Sequence, residues 1–339
     1  MIVDASTATR AAIGLLPVLC FLAALLVLDS YKLVRLRMIV FVIAIGCIAA
    51  GASYLVNFAA LRWLGLDFGD YSQYGAPFVE EAIKGIAILL LIRTHRIGFL
   101  VDASIFGFAV GAGFAMIENL YYLNELADHR AVIWIVRGFG TAILHGGVQA
   151  IFAAMVLANT DRRGAMDFRA VVPPLIVAVL VHSAFNHFVL PPIYQTLLVL
   201  LGLPPLMLWV FARSERALEG WIGTGFDSDR ELIELLDSGT FSESPTGQYL
   251  HGLRARFSGP VIADMVCYLR LCVELALRAK GILMMRENGI EMAADAQVDE
   301  KLEEMRYLER SIGPTGLRTL QPLLRMSRRD RWQLYMLGK

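Results

Sequence analysis

Six residues in the first 190 positions have the types and spacing needed to move a proton, hold a divalent ion or polarise a carbonyl. They are Glu80, Glu81, Glu118, His145, His182 and Asn186. Glu80 and Glu81 stand four and three residues ahead of Lys84, so on a helix both carboxylates share the lysine's face. Glu118, followed by Asn119, closes an apolar stretch with Phe114 and Tyr122 one turn away on either side. Arg137, Thr141, His145 and Gln149 recur at intervals of four, a polar stripe along one side of a helix. His182 and Asn186 are also four apart, whereas His187 points away from them.

Every one of these groups falls within or at the end of an apolar segment. A bilayer core needs about 20 mostly apolar residues per helix. Seven segments qualify approximately: 11–28, 38–60, 77–92, 98–122, 131–158, 170–190 and 193–212. The third is short and carries Glu80, Glu81 and Lys84, and its neighbours alone require it to cross. Pro191-Pro192 separates the last two, ending one helix and opening the next. The first segment ends at Leu28-Asp29-Ser30 without a small-x-small cleavage pattern and is expected to remain as a span. Gly107-x-x-x-Gly111 is suited to close helix packing, and Asp102 is expected at the inner interface. The four cysteines form no Cys-x-x-Cys pair and suggest buried small side chains.

Composition divides the chain in the same way. Residues 1–212 carry 13 Lys/Arg and 12 Asp/Glu, while residues 213–339 carry 18 and 19. The fold expected is therefore all-α: a polytopic transmembrane helix bundle of about seven spans over 1–212, then a soluble helical domain over 213–339. In the latter, Asp229–Asp237, Gly259–Met285 and Ala294–Glu309 have amphipathic helical spacing. Charges such as Asp264, Arg270 and Glu274 argue against an eighth span at Val261–Met285. A formal net charge of zero gives no support for a nucleic-acid partner.

Lys/Arg bias orients the bundle. The first, third and fifth connections hold Lys32, Arg35, Arg37, Arg93, Arg96, Arg162, Arg163 and Arg169. The alternate connections hold only Arg62 and Arg130. This predicts an outside N-terminus and a cytoplasmic C-terminal domain. At about 1.5 Å per residue, Glu80 and Glu118 lie roughly 5–6 Å from the outer ends of their helices, His182 about 12 Å and His145 up to about 20 Å. An ionisable group near the bilayer centre costs roughly 2.5–3.5 kcal/mol on the insertion scale. One shared polar cavity in the outer half is the economical arrangement. Lys84 and Arg137 can each neutralise a carboxylate there.

In four places the pattern resembles the PrsW family of intramembrane endopeptidases, allied to the CAAX- and bacteriocin-processing membrane proteases. These are Glu80-Glu81-x-x-Lys84, Phe114-x-x-x-Glu118-Asn119, Arg137 with His145, and His182-x-x-x-Asn186, each on its own apolar segment and in family order. The resemblance spans about residues 75–190. It implies hydrolysis of a peptide bond in a membrane-protein substrate. Glu80, Glu81, Glu118, His145, His182 and Asn186 would then be catalytic and Lys84, Asn119 and Arg137 supporting. It also implies a multi-pass cell-membrane protein, of bacterial type.

Two mechanisms fit these residues. In one, Glu80 or Glu81 activates water with help from His145, while His182 and Asn186 stabilise the oxyanion. In the other, His145, His182 and Glu118 bind one zinc ion and Glu80 or Glu81 acts on the water, two His and one Glu being a catalytic zinc set. No His-Glu-x-x-His strengthens the second, and the metal-free mechanism is slightly favoured, so the cofactor is either none or one zinc. Two other classes compete. A proton-coupled transporter would use the same acids, but no inverted repeat is visible. A non-catalytic scaffold would act through a cytoplasmic partner of residues 213–339.

Overall fold

The computed structural model describes residues 5–65, 67–125, 130–290, 296–324 and 328–338. It is helical throughout, with no strand among the described residues. Contacts divide the chain into two compact units, Met1–Glu215 and Arg216–Lys339.

The first unit contains α1 (Ala5–Leu28), α2 (Leu36–Leu64), α3 (Ala76–Arg93), α4 (Leu100–Glu125), α5 (Ile143–Arg163), α6 (Phe168–Asn186) and the start of α7 (Pro192–Asp237). The helices within 7–28, 36–64, 100–125, 131–163, 168–186 and 192–237 are long and apolar enough to cross a membrane. α3 is not among these six, because its 18 residues include Glu80, Glu81, Lys84 and Arg93. It packs against α2, α4, α5 and α6 of the same unit.

Two helices enter through a wide turn. The π-helical segment Tyr71–Gly75 leads into α3, and a second, Val136–Ala142, joins the short helix Ala131–Ile135 to α5. Such insertions often mark functional sites. The second interrupts the expected stripe, since four residues no longer make one α-helical step between Arg137 and Thr141. α7 also differs from expectation: no break occurs after residue 212, and the helix runs on to Asp237. Asp102, expected at an interface, is 1% exposed and accepts hydrogen bonds from the amides of Gly98, Phe99 and Ala103. Helix starts leave such amides without helical partners, and the carboxylate satisfies them.

α4 is the centre of the bundle: 83% of its apolar stretch is buried, against 28% for α1 and 33% for α2. Its small residues let backbones touch. A methyl group at Gly107 would meet the Gln149 carbonyl, and one at Gly111 the carbonyl of His145, so this glycine pair seats α5 on α4. Gly113 makes the same kind of contact with Ile43 of α2. Gly111→Ala is therefore expected to destabilise the bundle by roughly 1–3 kcal/mol through overpacking and to displace His145. Thermal unfolding in detergent would measure this. Gly51→Ala, with nothing within 4 Å, should be tolerated.

The second unit holds the end of α7, then α8 (Pro245–Gly252), α9 (Gly259–Glu287), α10 (Ala296–Leu324) and α11 (Arg328–Leu337). α9 is not among the helices suited to crossing a membrane. It buries Met265, Leu269, Leu275 and Leu283 while Arg270 and Glu274 pair near its surface. α10 continues past the expected helix at Ala294–Glu309 and bends at Gly313, whose φ of 70° suits a residue without a Cβ.

Candidate active site

Glu81 is the most deeply held of the six residues. Its side chain is fully buried and receives three donors: Lys84 Nζ at 2.5 Å, Gln149 Nε2 at 2.6 Å and His182 Nδ1 at 2.8 Å. With the lysine and amide as donors, the carboxylate acts only as an acceptor, so His182 carries its proton on Nδ1. The other ring nitrogen, Nε2, is left facing Glu80, 3.9 Å from its Oε2. α3 thus contributes one glutamate that orients and one that opens towards the cavity.

His145 bridges two charges. Its Nδ1 lies 3.0 Å from Lys84 Nζ and its Nε2 2.9 Å from Glu118 Oε2. Glu118, 27% exposed, also has Arg137 Nη2 at 3.4 Å from Oε1. Lys84 and Arg137 each sit against one carboxylate, Lys84 one helical turn from Glu81 and Arg137 across from Glu118 on another helix. Asn119 holds Arg137 in place, accepting from its Nε at 2.9 Å and donating to the Gly14 carbonyl of α1 at 2.7 Å. The guanidinium rests 3.8 Å from the centre of the Tyr122 ring.

The two histidine rings meet edge to face, with centroids 4.8 Å apart. One donor atom each from Glu80, His145 and His182 all lie within 4.8 Å of one another. Two histidines and one carboxylate are a donor set suited to zinc. The 3.9 Å between His182 Nε2 and Glu80 Oε2 is within reach of two bonds of about 2.0–2.2 Å to one ion. The Nδ1–H of His182 given to Glu81 is the arrangement that orients a ligating imidazole. His145 would exchange one of its two hydrogen bonds for the ion. These residues fit a metal. Glu80 is the carboxylate grouped with both histidines within that 4.8 Å, while Glu118 pairs with His145.

Glu80, Glu118, His145, His182 and Asn186 line one cleft of about 630 Å³. Aromatic residues, among them Tyr54, Phe58, Phe68, Tyr121 and Tyr122, contribute much of the rest of its wall. α6 is fixed to the π-helical turn before α3: Ser183 donates to the Gln73 carbonyl at 2.6 Å and Asn186 to that of Ser72 at 3.1 Å. His187 lies apart, donating to the Ser183 carbonyl and meeting the Tyr74 ring.

A sequence model of the PrsW family, described as intramembrane metalloproteases, matches residues 34–212. The chain belongs to the PrsW family. No curated protein and no solved structure matches it. Membership makes the first unit a member of an intramembrane protease family, and the apolar helices are those of a multi-pass membrane protein.

Within this PrsW bundle, several residues near the cleft escaped the spacing argument. Tyr71 donates to Asn57 Oδ1 at 2.8 Å, and Asn57 Nδ2 donates to Glu80 Oε1 at 3.3 Å, so α2 helps orient the open glutamate. A lone Asn within the second apolar run was the available signal for Asn57. Gln149 lay on the polar stripe, but its partner Glu81 could not be read from it. Nothing local marks Ser183 or Tyr71, whose partners are 110 and 14 residues away in the chain.

Proposed function

We propose that this chain is an endopeptidase that hydrolyses a peptide bond of a membrane-protein substrate, with Glu80, His145 and His182 holding one zinc ion and Glu118 serving as general base. The convergence of those three donors on the wall of a cleft in the bundle carries this reading. It reverses the slight preference for a metal-free glutamate mechanism, because the donor set fits and the family is one of metalloproteases. Bound there, zinc would supply Lewis-acid polarisation of the scissile carbonyl and make the attacking water more acidic.

The protein's own groups do the remaining work. Glu81, saturated by three donors, holds the His182 ring at a fixed angle with Nε2 turned towards Glu80. Glu118 accepts the proton of the attacking water and returns it to the departing amine, while Arg137 keeps the carboxylate in place. Asn186 uses one amide hydrogen on Ser72 and has a second to offer the developing oxyanion. The aromatic wall takes up apolar side chains of an extended substrate and limits the water that enters. On the charge bias between spans, cleavage occurs in the outer half of the bilayer and residues 213–339 are a cytoplasmic domain.

Purified protein is expected to contain one zinc per chain, and His182→Ala to lose it. Rigorous chelation should stop processing of a co-reconstituted substrate, and added zinc should restore it. Full processing by metal-free protein would overturn the zinc assignment.

A further inference from the structure

One side of the cleft is held differently from the others. Ser183 and Asn186 tie α6 to the turn before α3, Tyr71 and Asn57 tie that turn to α2, and Glu118 pairs with His145 between α4 and α5. Between α2 and α4 the backbones touch at one level, where a methyl group at Gly46 would meet the Val110 carbonyl and one at Gly113 that of Ile43. Towards their C-terminal ends the cleft opens between them, with Ala50, Tyr54 and Asn57 on one side and Phe114, Glu118 and Tyr121 on the other. It follows α2 from Ala50 to Leu61, about 16 Å at 1.5 Å per residue. Among the described residues the contact across this opening is aromatic. Tyr54 and Tyr121, with ring centroids 5.7 Å apart, are 54% and 44% exposed, so in an apolar bundle they face lipid. Gly51 lines the same opening and leaves a gap, since a methyl group there would meet nothing within 4 Å.

A separate observation concerns Ser53. It lines the cleft and is 1% exposed, and its Oγ is buried without a hydrogen-bond partner. A hydroxyl in mid-helix can bond the carbonyl one turn back, and this one does not. A peptide bond held in a helix must leave it before water can attack. In lipid, the N–H and C=O groups so freed need new partners. A serine hydroxyl can donate to one and accept from the other, and Ser53 lies one turn from Asn57, the residue that reaches Glu80. A gap that faces lipid and leads to the converging donors admits a segment that is itself embedded in the membrane.

We infer that a transmembrane segment of the substrate enters between the C-terminal halves of α2 and α4, parting Tyr54 from Tyr121, and that Ser53 takes up backbone groups freed as the segment unwinds. This rests on the endopeptidase reading. Full-length Glu118→Gln protein would be reconstituted in phosphatidylethanolamine and phosphatidylglycerol vesicles. The probe is a Lys-flanked Leu-Ala peptide of about 20 apolar residues with a central Gly-Gly pair. A photoreactive benzoylphenylalanine replacing Tyr54 should capture this peptide. The same group replacing Leu180, 62% exposed on α6 and outside the cleft, should not.

Gly51→Phe should block capture, whereas Ile48→Phe, at a 70% exposed position of the same helix, should leave it unchanged. Ser53→Ala should weaken capture of the Gly-Gly peptide about threefold to tenfold, the range for one hydrogen bond. It should leave capture of an uninterrupted Leu-Ala peptide unaffected, and should unfold no earlier than the parent because it removes an unmet hydroxyl. Equal capture at both positions, capture of lipid alone, or full affinity of Ser53→Ala for the Gly-Gly peptide would overturn the proposal. Absence of zinc and of cleavage in the parent protein, with capture at Tyr54 intact, would remove the catalytic reading and leave the entrance. A zinc-bearing parent that cleaves its substrate, with capture at Leu180 instead, would do the reverse.

Discussion

His182→Ala is expected to lower proteolysis by on the order of 10³-fold or more while leaving the helix bundle folded. Electrophilic stabilisation of a developing oxyanion contributes several kcal/mol, and about 1.4 kcal/mol corresponds to each tenfold in rate. Removing this imidazole takes away one of three converging donors, leaving Glu80 and His145. The fold should survive, because Glu81 keeps Lys84 and Gln149 as donors. Glu80→Gln should fall nearly as far in rate, while Asn186→Ala, which removes one polarising hydrogen bond, should cost about 10²-fold. The neighbouring His187→Ala is the control, since His187 engages Ser183 and Tyr74 outside the cleft. Cleavage of a reconstituted substrate under single-turnover conditions would measure all four. His182→Ala activity within tenfold of the parent would remove His182 from the site.

The second large effect falls on stability. Lys84 and Glu81 are both fully buried, and the ammonium also reaches His145 and the face of Phe114. Breaking a buried ion pair by removing one partner costs roughly 3–5 kcal/mol, because the other charge is left uncompensated. Lys84→Met and Glu81→Gln should each lower stability by that amount in reversible unfolding in mixed micelles. The double variant Glu81→Gln/Lys84→Met should recover part of it, since no unpaired charge remains, and this non-additivity identifies a coupled pair. Activity should not recover with it. A neutral amide in place of Glu81 holds His182 less firmly, a loss of about 10–100-fold by analogy with other groups that orient metal ligands. Additive single effects would show that the two side chains are not a coupled pair.

These expectations depend on unequal roles for two adjacent glutamates, and that inequality was not legible in the sequence. Both precede Lys84 by one helical turn, so spacing alone gives them equal claims on it. In the folded chain Glu81 faces Gln149 and His182 on other helices, whereas Glu80 opens onto the cleft beside Asn57. The choice follows from the rotation of α3 about its axis, which packing against four neighbouring helices determines.

What the sequence determined by itself was the class of fold and which polar groups fall within its apolar segments. Apolar runs of span length stand out because lipid offers no partner for a bare backbone. Acids and histidines within them stand out because the bilayer makes them costly. Hence Glu80, Glu81, Glu118, His145, His182 and Asn186 were readable before any contact was known, as was the glycine pair of α4.

Only the tertiary structure brought Glu80 and Glu81 to His182 and Glu118 to His145, with Asn57 and Gln149 behind the two adjacent glutamates. A helical repeat reports what lies on one face of one helix, while the site is made between helices. The wide turns at Tyr71–Gly75 and Val136–Ala142 shift that register further, and an extra residue per turn has no signature in local periodicity. Their effect is to bring Ser72 and Gln73 under Asn186 and Ser183, and Arg137 to Glu118, contacts that helical spacing alone does not predict.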